Sequence, residues 1–135
     1  DLLTEREYEE FGSAYDLPIL KAVDDLWLNM AHLHGKNIMF NQIADYPVQV
    51  LNWHDRETPP SLIEGLSQFS GCVCGGIARV ETLVLGSPEK VKLEAKQAIE
   101  HSEGKRLILS TGCVLPLTTP YGNIMAARNI VEELG

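Results

Sequence analysis

Apolar positions along the chain switch repeatedly between a helical period and short, nearly continuous runs. The opening stretch places Tyr8, Phe11, Ile19, Leu20 and Val23 at roughly helical spacing. It follows Thr4-x-x-Glu7, a capping-box pattern in which each side chain can satisfy the other residue's backbone N–H. Pro18 is expected to break this helix into two pieces. Leu26 to Leu33 then reads as a buried strand stopped at Gly35, and Asn37 starts a brief helix through Ile38, Met39, Phe40 and Ile43.

The same succession returns three times. Val48 to Trp53 reads as a second strand, a polar loop runs from His54 to Pro60, and Ser61-x-x-Glu64 caps a helix carrying Leu62, Leu66 and Phe69. Gly71 to Ile77 is a third strand of small residues. After it Ser87-Pro88 supplies an N-cap and an N1 proline for a helix with Val91, Ala95, Ala98 and Ile99 on one side. Arg106 to Ser110 is a fourth strand. Thr119-Pro120 begins the last helix, with Ile124, Ala127, Val131 and Leu134 expected on its inner face and Gly135 as its stop.

Strands that alternate with helices, each strand a continuous apolar run, argue for an α/β fold with a parallel sheet covered by helices. Residues 1–135 form one domain, either a small open sheet or half of a (β/α)8 barrel, which normally needs about 200 residues or more. Half a barrel leaves two sheet edges open, so a homo-oligomer or a missing N-terminal half is expected to cover them. The start at Asp1 rather than Met reads as a processed, cloned or truncated end.

Composition narrows the partners. A hydrophobic share of 44% with 22% charged residues is ordinary for a soluble domain. A net charge of -8 without a Lys/Arg cluster removes the electrostatic footprint that nucleic acid selects. No apolar run approaches the ~20 residues of a membrane span, and the acidic start lacks the plan of a signal peptide, so the expectation is a cytoplasmic protein without membrane contact. Cys72 and Cys74, alternate residues on one strand, are poorly placed to bridge, and the three cysteines read as reduced thiols.

The reactive residues gather at one end of the strands. His32, His34, Asn52, His54, Asp55, Thr111 and Cys113 all fall at or just beyond the C-terminal ends of predicted strands, where parallel α/β enzymes carry their chemistry. His32-Leu33-His34 sends two imidazoles to the same side of an extended segment, and Cys113 lies just past the fourth strand. Two imidazoles and a thiolate with an open fourth position make a catalytic zinc arrangement; the spacing alone also suits loop histidines bound to the backbone. Cys72 and Cys74 are a rival thiolate pair, or packing residues. His54 and Asp55 suit a general base oriented by a carboxylate, or a cap and a surface pair. Asn52, Gly75, Gly76 and Thr111 are candidates for substrate contact, the glycines by allowing close approach. His101, near a helix C-terminus, needs no functional explanation.

These segments resemble a known family. The tail from Leu107 to Pro116, followed by Thr118-Thr119-Pro120 and Asn123-Ile124, is similar to the last strand and helix of the uroporphyrinogen decarboxylase superfamily. His32-Leu33-His34-Gly35, Gly75-Gly76-Ile77 and Leu85 to Val91 resemble it in order and spacing. The resemblance implies the C-terminal half of a (β/α)8 barrel. In that superfamily the decarboxylases use no metal and carry a histidine within the tail motif. The zinc-dependent methylcobalamin:coenzyme M and related corrinoid methyltransferases instead bind zinc through H-x-C and a cysteine in the tail. His32 and Cys113 match those positions, whereas His34 stands where the family has a thiolate. The exchange makes the site one charge more positive and a stronger Lewis acid. The resemblance therefore implies zinc, a methylated corrinoid on a partner protein, and a thiol-type acceptor. A metal-free lyase and a non-catalytic half-barrel are the alternatives.

Overall fold

The computed structural model describes residues 2–134. In chain order α1 (Glu5–Tyr8), a π-helical turn (Glu9–Ser13) and α2 (Ala14–Ala22) lead into β1 (Met30–Leu33), α3 (Phe40–Ala44), β2 (Val50–Trp53) and α4 (Leu62–Gln68). Then follow β3 (Cys72–Ile77), a second π-helical turn (Arg79–Val84), α5 (Pro88–His101), β4 (Leu107–Thr111) and α6 (Tyr121–Leu134). The four strands make one parallel sheet in the order β1-β2-β3-β4. A doubly wound sheet reverses its strand order at a switch point; a (β/α) barrel adds each new strand on the same side, as here.

Register assigns the two faces. Ala31, Leu51, Val73 and Leu107 stand at one level and belong to the helix-covered side, where Leu51 and Val73 are fully buried with Trp53, Phe40, Leu62 and Ala98. His32, Asn52, Cys74 and Ile108 stand at the next level and alternate to the other face. Met30 and Ile108 are exposed on that face. A second cluster of Ile77, Leu83, Val91, Ala95, Ala126 and Ile130 joins α5 and α6 to the sheet. No helix among the described residues is long and apolar enough to cross a membrane.

Three helix starts form as their sequences dictate. Thr4 with Glu7 and Ser61 with Glu64 are full capping boxes, and Ser87 caps α5 ahead of Pro88. Four expectations need correction. α3 begins at Phe40 rather than Asn37, without a side-chain cap at its start. The opening helix is not divided at Pro18, which lies inside α2. The irregular turn comes upstream and ends at Ser13, next to Ala14, the residue whose carbonyl a proline at 18 cannot bond. β1 begins at Met30 rather than Leu26, because Asn29 donates its side-chain amide to the Val23 carbonyl (2.9 Å) and closes a turn that leaves Leu26 and Trp27 exposed. In α6 the buried residues are Asn123, Ala126 and Ile130, one position away from the expected stripe. Asn123 is drawn inward by donating to the carbonyls of Leu83 (2.9 Å) and Gly86 (2.8 Å), which rotates Ile124, Val131 and Leu134 into solvent. The expected stop at Gly135 lies outside the described residues.

That rotation has a measurable consequence. Ile130→Ala is expected to lower the unfolding free energy by about 2–5 kcal/mol, while Val131→Ala changes it by less than about 0.5 kcal/mol. Urea titration of both variants checks this, and equal losses would restore the stripe expected from periodicity.

Candidate metal centre

Four side chains converge at the C-terminal edge of the sheet. His32 is the penultimate residue of β1, His34 follows the strand, His54 follows β2, and Cys113 lies just past β4. Their candidate ligand atoms all lie within 4.8 Å of one another, so a single ion could be reached by all four. Cys113 Sγ stands 3.8 Å from His34 Nδ1. The rings of His34 and His54 meet edge to face at 5.2 Å between centroids, with His32 at 5.8 Å from His34 and 6.3 Å from His54. His54 is buried, Cys113 is half-buried, and His32 and His34 are exposed.

Two of the three imidazoles are held from behind. His32 Nδ1 lies 2.6 Å from Asn52 Oδ1, and His54 Nδ1 lies 3.3 Å from Glu57 Oε2. Hydrogen bonds of this kind at one ring nitrogen orient the other toward a metal. The Nε2 atom of His54 is buried without a hydrogen-bond partner, an energetically costly condition that a ligand at the centre would relieve. Cys113 reaches the group because Gly112 lies directly against the backbone of Trp53 and His54, where a Cβ would collide. Thr111 Oγ1 then donates to the Cys113 carbonyl (2.7 Å) and tightens the turn. Sequence reading did not single out Gly112; its signal is a glycine one residue before a proposed ligand.

The remaining sequence candidates are near the centre but turned to internal partners. Asn52 donates to the carbonyls of Cys74 (2.7 Å) and Thr111 (3.2 Å). The Asp55 carboxylate turns to β3, where both oxygens accept from the Gly76 N–H at 3.1 Å. Gly75 leaves room for that carboxylate, and a Cβ on Gly76 would press on Ala98 Cβ of α5 at 2.7 Å. Gly76 also holds a positive φ of 105°, which favours glycine. The Gly76 carbonyl accepts from Arg56 Nε (2.9 Å) and Nη2 (2.7 Å), and Arg56 Nε stands 3.7 Å from both Asp55 and Glu94. Burial pushes the Asp55 carboxyl up to about 6, against the lowering effects of the Gly76 N–H and Arg56. Cys74 is buried and Cys72 half-buried, and burial raises both thiols, so neither favours the thiolate.

A cavity of about 440 Å³ opens beside His32 and His34, walled by Leu3, Leu33, Ile38 and Met39.

Comparison with known proteins fits this architecture. The pattern of the uroporphyrinogen decarboxylase (URO-D) family matches residues 1–134. The chain belongs to the uroporphyrinogen decarboxylase family. A solved methyltransferase from Methanosarcina mazei superposes with a TM-score of 0.84 at 23% identity, over 99% of this chain and 39% of that one. The chain therefore spans about two fifths of that protein's length, and its four parallel strands and helices are half of a (β/α) barrel. The curated proteins contain no match.

Two outcomes test the local geometry. Asp55 binds its proton more tightly folded than unfolded, so its contribution is full below pH about 4 and is lost as pH rises through about 6. In the presence of chelator, the stability of Asp55→Asn relative to the unaltered chain should rise over that window by on the order of 2–3 kcal/mol, as measured by urea titration. Gly112→Ala should displace the turn bearing Cys113, seen as faster amide hydrogen exchange across residues 111–115 with β-sheet content retained.

Proposed function

We propose that this chain is the metal-binding half of a methyltransferase barrel, in which His32, His34 and Cys113 hold a zinc ion and His54 serves the acceptor. The observation that carries the reading is the mutual approach of the four donor atoms, drawn from three separate strand ends. Imidazole nitrogen with cysteine sulfur is a donor set that zinc selects, and three ligands leave the open position a catalytic ion requires. When bound, zinc supplies a Lewis acid that lowers the pKa of a thiol or water at that position.

The chain's own residues do the rest. Cys113 must give up its proton to bind, and the half-exposed mouth of the site lets it leave to solvent. Glu57 accepts from His54 Nδ1–H, so the lone pair of His54 sits on the unpartnered Nε2 and can take the proton of an incoming thiol. The cavity beside His32 and His34 receives the acceptor's body, and its aliphatic walls exclude water around the reacting sulfur. A corrinoid on a partner protein would supply the methyl group, the sulfur gaining it as the methyl–corrinoid bond gave way and left its electron pair on the corrinoid. Completion of the sheet, by a second copy or by an N-terminal half, belongs to the same reading, because β1 and β4 are open edges. Asp55, Gly75, Gly76 and Thr111 support this edge through the hydrogen bonds and close packing described above.

Metal analysis of the chain purified without chelator tests the proposal. About one zinc per chain is expected, lost in His32→Ala and Cys113→Ser; absence of metal after zinc is supplied sinks the mechanism. His54→Gln should keep the ion but slow thiol-dependent demethylation of methylcobalamin by about 10²–10⁴-fold, followed by the corrinoid absorbance of the completed barrel. Loss of zinc in that variant would make His54 a fourth ligand instead.

A further inference from the structure

Asn52 lies at the centre of the sheet's uncovered face, buried, with polar contacts to His32, Cys74 and Thr111 inside the protein. Its amide nitrogen points to two main-chain carbonyls, Cys74 on β3 at 2.7 Å and Thr111 on β4 at 3.2 Å. A carbonyl oxygen only accepts, so the NH2 end of the side chain must face those two groups. The oxygen end therefore faces His32 Nδ1 at 2.6 Å, and an amide oxygen is also only an acceptor. The proton in that short contact must come from the imidazole.

We propose that Asn52 is a positioning residue that fixes His32 as the Nδ1–H tautomer, so that Nε2 carries the lone pair offered to the donor cluster. The same amide ties β2 to β3 and to the residue two before Cys113, so one side chain sets both the protonation and the spacing of ligands from opposite sheet edges. The consequence for zinc rests on the function proposed above; the tautomer assignment does not.

Long-range ¹H–¹⁵N correlation spectra of the imidazole rings, recorded without metal at pH about 8.5 where an ordinary histidine is neutral, read the tautomer directly. His32 signals are identified by their loss in His32→Gln. In the unaltered chain His32 should show a protonated Nδ1 and an unprotonated Nε2. Asn52→Asp keeps an acceptor for Nδ1–H and should keep that tautomer, even though it forfeits the donations to Cys74 and Thr111 and lowers stability. Asn52→Leu removes the acceptor and should shift His32 toward Nε2–H. A residue needed only for packing would leave the tautomer alike in both variants. Chelator competition should then find zinc affinity lowered about 10–100-fold in Asn52→Leu. An Nε2–H tautomer in the unaltered chain, or an unchanged one in Asn52→Leu, overturns the proposal, and the unaltered chain decides alone if neither variant folds. Correct tautomers without zinc binding would instead sink the metal function while leaving this assignment standing.

Discussion

His32, Asn52 and Cys74 stand at one level of the sheet because β1, β2 and β3 are parallel and paired in chain order, and every contact of the candidate centre is built outward from that level. A slip of one residue in any pairing would turn the polar side chain into the helix-covered core, where Leu51, Trp53 and Val73 lie fully buried. The apolar face thus enforces the polar one. Packing of the outer side sets the register, and register sets which donors can meet.

The chemistry is then completed by loops whose courses are fixed by few interactions. Gly112 permits the turn after β4 to rest on the backbone after β2, and Thr111 locks that turn through the Cys113 carbonyl. Beneath the cluster, Asp55 is held between the Gly76 N–H and Arg56 in a setting that disfavours its charge. A buried, partly compensated carboxylate costs stability, and its place under the cluster gives that cost a structural role: it anchors the loop carrying His54 to β3.

Much of this was legible in the sequence. Capping boxes announce helix starts because their signal is local, and the four strand–helix repeats follow from short apolar runs between them. His32, His34 and Cys113 could be grouped because strand ends of a parallel sheet share an edge. Other features depend on contacts that no local pattern records. Asn123 turns α6 by bonding two carbonyls some forty residues away in sequence, overriding the more apolar stripe. His54 reads as a base beside a carboxylate because Asp55 is its neighbour in sequence, yet its ring pairs with Glu57 while Asp55 turns to β3. Asn52 gives no sequence sign of its three internal partners, which belong to β1, β3 and β4.

The contact between Cys113 and His34 is also a gauge of shape. They follow the two outermost strands, which in a flat sheet of four would stand roughly 14 Å apart at the usual strand spacing. Their side chains nevertheless close to 3.8 Å. The turn after β4 closes the gap: it crosses towards β2, where Gly112 rests on the backbone of Trp53 and His54, and so carries Cys113 over the face towards the end of β1. A bond made across that span would act as a strut between chain segments almost eighty residues apart, so an ion held there and the loop after β4 would stiffen or relax together.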